Sequence, residues 1–113
     1  MNARVDEFLP LKPELFHVLL ALEERGTLHG WAIIKAVENT TDGAIVLEPS
    51  PLYRRLKRLL EHGLIEDSGE RSQEDERRIY YRLTPLGEQV LRAESARLVS
   101  LASSASVRKL ARS

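Results

Sequence analysis

The segment 50–63 sets the strongest limit on how this chain can fold. Leu52, Leu56, Leu59 and Leu60 stand at i, i+4, i+7 and i+8, the spacing of one helical stripe. At about 100° per residue the opposite side holds Arg54, Lys57, Arg58 and Glu61, with Tyr53 and Arg55 on the flanks. Ser50 is expected as the N-cap and Pro51 as the first helical residue, where a missing N–H costs no hydrogen bond. Gly63 closes the helix. Such a helix is stable only when other elements cover its leucines, and covering them turns its cations outward. The fold must therefore carry a basic helix on its surface.

The elements available to cover it are helical before the segment and extended after it. A helix is expected over 13–25, with Leu15, Val18, Leu19 and Leu22 inward and Gly26 as the stop. A second follows over 29–39, with Thr27 as its N-cap; Gly30 lies on its inner stripe and marks close approach of a neighbouring helix. After a polar loop at 39–43, Ile45, Val46 and Leu47 read as a short edge strand. Leu64, Ile65 and Glu66 begin another strand. Over 77–83, Ile79, Tyr81 and Leu83 alternate with Arg78, Tyr80 and Arg82, the period of a half-buried strand. The polar stretch 68–76 would join the two as a hairpin. Thr84 and Pro85 then open a last helix, expected over 85–109, whose serine-rich end frays.

Helix, helix, short strand, helix and hairpin in this order make a winged helix-turn-helix. The expected fold is mainly α with a small β-hairpin, divided into a winged-helix domain (1–84) and a C-terminal dimerisation helix with its tail (85–113). In this arrangement the third helix presents its polar side to the major groove of DNA, and the hairpin reaches the flanking backbone.

Charge distribution agrees with that use. The chain has 17 basic and 17 acidic residues, but they are segmented: +3 over 50–63, +4 from 79 onward, −4 over 1–49 and −3 over 64–78. Ser50, Tyr53, Arg54, Lys57 and Arg58 are the candidate DNA contacts on the third helix. Arg71, Arg77 and Arg78 are the candidates on the wing, with the acidic tip Glu74, Asp75 and Glu76 turned away from phosphate. Tyr81 is expected in the core and Tyr80 on the outer face. Trp31 is expected to pack between helices, its alternative role being to line an effector pocket.

Other functions find little support in the residues. With no cysteine the chain has no disulfide, thiolate metal site or cysteine nucleophile. His17, His29 and His62 are too far apart for a helix-spaced metal pair, so no metal or cofactor is expected. No residue set proposes a reaction, and an enzyme is not expected. The longest apolar runs are too short for a bilayer span, the start of the chain lacks the layout of a signal peptide, and a cytoplasmic location follows.

Four blocks taken together resemble the PadR family of bacterial transcriptional regulators. They are Leu28 to Ile33 (LHGWAI), Pro49 to Leu59 (PSPLYRRLKRL), Glu61 to Ile65 (EHGLI) and Tyr80 to Gly87 (YYRLTPLG). The likeness spans about residues 11–91. It departs from the family pattern at Trp31, where a tyrosine is usual, and at Ser50 and Pro51, where Gly-Thr is usual. The resemblance implies a homodimeric repressor on double-stranded DNA, released by a small effector, of the shorter subgroup with a single C-terminal helix. Leu91, Leu98 and Ala105 recur every seven residues, with Leu101 and Ala102 between them, and are the candidate dimer interface. A winged-helix module for protein–protein contact is the alternative, favoured by the neutral total charge and the acidic wing.

Overall fold

The computed structural model describes residues 3–113. After a single turn, α1 (Ala3–Asp6), three helices form the body: α2 (Pro13–Arg25), α3 (Gly30–Thr40) and α4 (Pro49–Glu61). The strands β1 (Ile65–Asp67) and β2 (Tyr81–Leu83) pair antiparallel, with Ile65 opposite Leu83 and Asp67 opposite Tyr81. Helix α5 (Pro85–Ala102) packs across α1 and α2, and α6 (Ala105–Arg112) follows it. Each element contributes its apolar stripe to one core. Val18, Leu19 and Leu22 of α2 meet Ile33 and Val37 of α3, Leu52, Leu56 and Leu59 of α4, Leu64, Ile65 and Tyr81 of the hairpin region, and Val90 of α5. The winged-helix fold expected from the order of elements is the one adopted.

Several local expectations need correction. Helix α4 starts earlier than Ser50: Glu48 is its N-cap, Pro49 enters first, and Leu52 N–H makes a bond to Glu48 O at 3.0 Å. Both prolines fit because first-turn N–H groups have no helical partner. Thr27 does not cap α3. His29 does, its Nδ1 accepting from Ala32 N–H at 3.3 Å, while the Thr27 hydroxyl donates to Glu70 Oε2 at 3.2 Å. Residues 45–47 form no strand: Thr41 Oγ1 accepts from Ile45 N–H at 3.1 Å, and Leu47 turns into the core. The third strand position is taken by Leu28, which exchanges backbone bonds with Tyr81 at 2.8 and 3.1 Å. Strand propensity yields to context, and here the local bond from Ile45 N–H to Thr41 takes the place of a ladder.

The 77–83 strand is shortened to Tyr81–Leu83. Asp75 accepts from Arg77 N–H through its side chain and from Arg78 N–H through its carbonyl, closing a turn where the ladder would continue. Beyond it only Ser68 N–H still reaches across, to Tyr80 O at 2.7 Å.

The C-terminal region also departs from a single frayed helix. Helix α5 ends at Ala102, and Ser104 starts α6 by accepting from Val107 N–H at 3.4 Å. Consecutive serines offer the backbone local partners and so break the helix there. Leu91 is only 5% exposed and serves the core, so the seven-residue stripe is divided: Leu98 stands on the outer half of α5 and Ala105 on α6. The radius of gyration, 15.4 Å, exceeds the roughly 13 Å of a compact chain this long. The excess fits a C-terminal arm standing off the body.

Glu94 marks where that arm leaves. It is 1% exposed, yet its carboxylate is fully engaged: Arg97 donates from Nε at 2.5 Å and from Nη2 at 3.0 Å, and Leu11 N–H donates at 2.9 Å. These bonds, Arg97 first, hold its pKa below the usual glutamate value of 4.5. Glu94 thus pins the segment before α2 to α5. Its contribution to stability is complete above pH 4.5 and is lost as pH falls through the lowered folded value. In denaturant titrations Glu94→Ala is expected to lose about 1–3 kcal/mol at neutral pH. Glu94→Gln should flatten the loss of stability below pH 4.5 relative to wild type.

Candidate nucleic-acid interface

The stripe of leucines beneath α4 does what its spacing implies. Leu52, Leu56 and Leu59 are buried, and Arg54, Lys57 and Arg58 project from the opposite side. Among the described residues none of these three cations makes an ion pair or side-chain hydrogen bond, so their charges are uncommitted. Helix α4 has 13 residues and is therefore about 20 Å long, enough to lie along a major groove. Ser50 is exposed in its first turn.

Tyr53 sits on the flank that faces α3. Its ring lies over Gly30, so close that a methyl group there would overlap the phenol. That is the close approach foreshadowed by glycine on the inner stripe of α3. Tyr53 remains 49% exposed, leaving its outer edge available.

The wing arginines divide into two kinds. Arg71 is held by Asp67 in a two-pronged pair, Nη1 to Oδ1 at 3.0 Å and Nη2 to Oδ2 at 2.9 Å, and it also donates to Glu70 O at 2.7 Å. The Arg71 guanidinium, and then Gly69 N–H, lower the pKa of Asp67 to about 2. Arg77 and Arg78 are both exposed, and Arg77 has a loose ion pair, 3.5 Å, with Asp75. That contact also accounts for one of the three acids at the tip. The structure therefore brings Tyr53, Arg77 and Arg78 together with Trp31 around one concavity of about 330 Å³ between α3, α4 and the wing. Arg71 is on the other arm of the wing.

Trp31 corrects the expectation that it packs between helices. It is 52% exposed, with the Lys35 ammonium 5.0 Å from its ring centroid. One turn of helix separates the two, which is the spacing that could have revealed the pair in the sequence. Tyr81 is in the core as expected, and Tyr80 stands edge-on to His29 at 5.2 Å. Burial, and then the charge of Arg78, lower the pKa of His29, which favours the neutral ring that can accept from Ala32 N–H and cap α3.

The candidate dimer residues Leu98, Leu101, Ala102 and Ala105 are all exposed along the arm, joined by Val99, Val107 and Leu110. None of these last three lies on the seven-residue repeat: Val99 adjoins Leu98 on α5, and the break at Ser103 sets Val107 and Leu110 on α6. Among the described residues no helix is long and apolar enough to cross a membrane.

Comparison with known proteins gives the same fold. The model of the transcriptional regulator PadR-like family matches residues 18–93. A complex of RosR from h. salinarum, hsRosR-S4, superimposes with a TM-score of 0.70 at 23% identity, covering 96% of this chain and 90% of that one. A transcriptional regulator from Clostridium thermocellum gives 0.63 at 22% identity, covering 89% and 92%. A mutant MarR from E. coli complexed with operator DNA gives 0.59 at 19% identity, covering 80% of this chain and 59% of that one. No curated protein matches the chain. With the family model covering most of the winged helix and both the hairpin and the first half of α5 inside the matched region, the chain belongs to the PadR-like family of transcriptional regulators.

Proposed function

We propose that this regulator is a homodimeric repressor that binds a palindromic operator. The observation that carries the reading is the row of uncommitted cations Arg54, Lys57 and Arg58 on the outer side of α4, beside Tyr53 and the wing arginines. Helix α4 enters the major groove with its first turns, including Ser50, toward the bases. Arg77 and Arg78 of the wing follow the adjacent phosphates. Arg71, bound to Asp67, contributes only if DNA draws it off that partner. Occupying the operator blocks transcription, and a small effector would release it. The operator-bound MarR complex supports the reading, as a similar fold used on DNA.

Dimerisation rests on the arm. Leu98, Val99, Leu101, Val107 and Leu110 form an apolar surface too extended for a monomer to leave bare. A twofold pairing of α5 and α6 would cover it and set the two copies of α4 about 34 Å apart, one turn of B-DNA. Leu101→Glu is expected to give monomers in analytical ultracentrifugation and to weaken DNA binding without altering the helical content of each protomer.

A gel shift with genomic fragments at low and physiological salt tests the function. Retention of a limited set of fragments at physiological salt is expected. Fragments held equally at low salt and all released at physiological salt would instead favour a module for protein contact.

The contact between Tyr53 and Gly30 supplies a finer test. In Gly30→Ala the new methyl meets the movable end of a half-exposed tyrosine, and Ala favours the helix, so stability should stay within about 1 kcal/mol of wild type. DNA affinity is expected to fall about fivefold or more as Tyr53 is displaced, and wild-type affinity in this variant would remove Tyr53 from the contact set.

A further inference from the structure

A second concavity, on the other flank of α4, belongs to neither the wing nor the arm. It has a volume of about 460 Å³, within the range of small-molecule sites. Its floor is Leu59 and Leu64, both buried, and its walls are Phe8, Leu11 and Leu15. Leu11, Leu15, Leu59 and Leu64 make up most of the apolar lining, and the rings of Phe8 and His62 meet edge to face at 5.6 Å. Around the mouth stand Lys12, Arg55 and Arg58 against one carboxylate, Glu7. Among the described residues none of these four side chains makes an ion pair or hydrogen bond.

We propose that this concavity binds an aliphatic carboxylic acid, with its chain on the leucines and its carboxylate between Arg55 and Arg58. The chemistry follows from the lining. Three unpaired cations at the rim of an apolar hollow favour a ligand with one anionic end and a hydrocarbon body. Four leucines against one phenylalanine favour a flexible hydrocarbon chain over a flat ring, which aromatic faces would hold better. Arg55 and Arg58 lie three residues apart on α4 and so within one sector of the helix, in reach of the same carboxylate. The partner's α6 is a poor occupant despite Val107 and Leu110, because Arg108, Lys109 and Arg112 would be brought against Lys12, Arg55 and Arg58.

The site has a regulatory consequence that rests on the proposed DNA reading. Arg58 belongs both to the mouth of this hollow and to the cationic side of α4. A carboxylate paired with Arg58 takes that charge away from phosphate, so acid and operator weaken each other's binding by the same factor.

Calorimetric titration of the intact protein with decanoate, decanol and decylammonium tests the site without DNA. Saturable binding of decanoate is expected, with decanol and decylammonium weaker by about tenfold or more. Arg55→Gln should reduce decanoate affinity about tenfold while leaving DNA binding in the absence of decanoate unchanged. Leu15→Asp should reduce it as well, through the apolar wall. Saturating decanoate should lower affinity for a retained genomic fragment about fivefold or more in wild type, and less in Arg55→Gln. No saturable binding, equal binding of decanol, or wild-type binding by Arg55→Gln would overturn the site. Decanoate binding to a protein that retains no DNA would leave the site standing and defeat the DNA reading instead.

Discussion

Gly87→Ala is expected to destabilise the protein by about 3 kcal/mol or more, although helix propensity alone would make it stabilising by about 0.5–1 kcal/mol. Gly87 lies in the first turn of α5, and its Cα faces the backbone of Leu64, so that a methyl would overlap the Leu64 carbonyl oxygen. The neighbourhood cannot yield cheaply. Leu64 is buried, and its carbonyl accepts from Thr84 N–H at 3.1 Å. The Thr84 hydroxyl donates to Gly63 O at 2.5 Å and accepts from Gly87 N–H at 3.0 Å. Making room for the methyl means parting α5 from the chain between α4 and β1 and stretching these bonds together. Thermal melts at matched protomer concentration should show a midpoint lower by about 10 °C or more. A melt at or above the wild-type midpoint would mean that the Thr-Pro-Leu-Gly turn is not packed as described.

The second large effect is on binding. Arg54→Ala combined with Arg58→Ala is expected to weaken DNA affinity about a hundredfold at physiological salt, since a homodimer loses four uncommitted charges. Both side chains are exposed and unpaired, so the thermal midpoint should move by no more than about 0.5 kcal/mol in equivalent stability. Filter binding or fluorescence anisotropy on a retained genomic fragment, beside a melt of the same sample, separates lost contact from lost fold. Wild-type affinity in the double variant would remove α4 as the reading element.

What the sequence made legible was whatever a periodic pattern could carry. Leu52, Leu56 and Leu59 were buried and Arg54, Lys57 and Arg58 exposed because a helix has one period and one core to face. Thr84 and Pro85 started α5 as their chemistry requires. What it hid was competition between partners. Residues 45–47 have strand propensity, but the Thr41 hydroxyl took the Ile45 N–H that a ladder would need. Thr27 is a better N-cap than His29 by residue type, yet its hydroxyl went to Glu70. Leu91 fits a dimer stripe and also a core, and burial by α1 and α2 decided for the core. The burial of Glu94 had no sequence signal, since nothing near it in the chain shows that Leu11 N–H needs an acceptor. The candidate residues on α4 lay on one periodic element, so their exposure could be read from the spacing. The hollow formed by α4 with the segment before α2 joins residues some fifty apart, as Phe8 and His62 are, and had no local signal.

The free cationic side of α4 is most directly tested by the salt dependence of DNA affinity. Log affinity against log salt should fall steeply for wild type, and the Arg54→Ala, Arg58→Ala double variant should give a slope shallower by about two units or more, since each lost phosphate contact removes about 0.9. Parallel lines for the two proteins, or an affinity indifferent to salt, would contradict it.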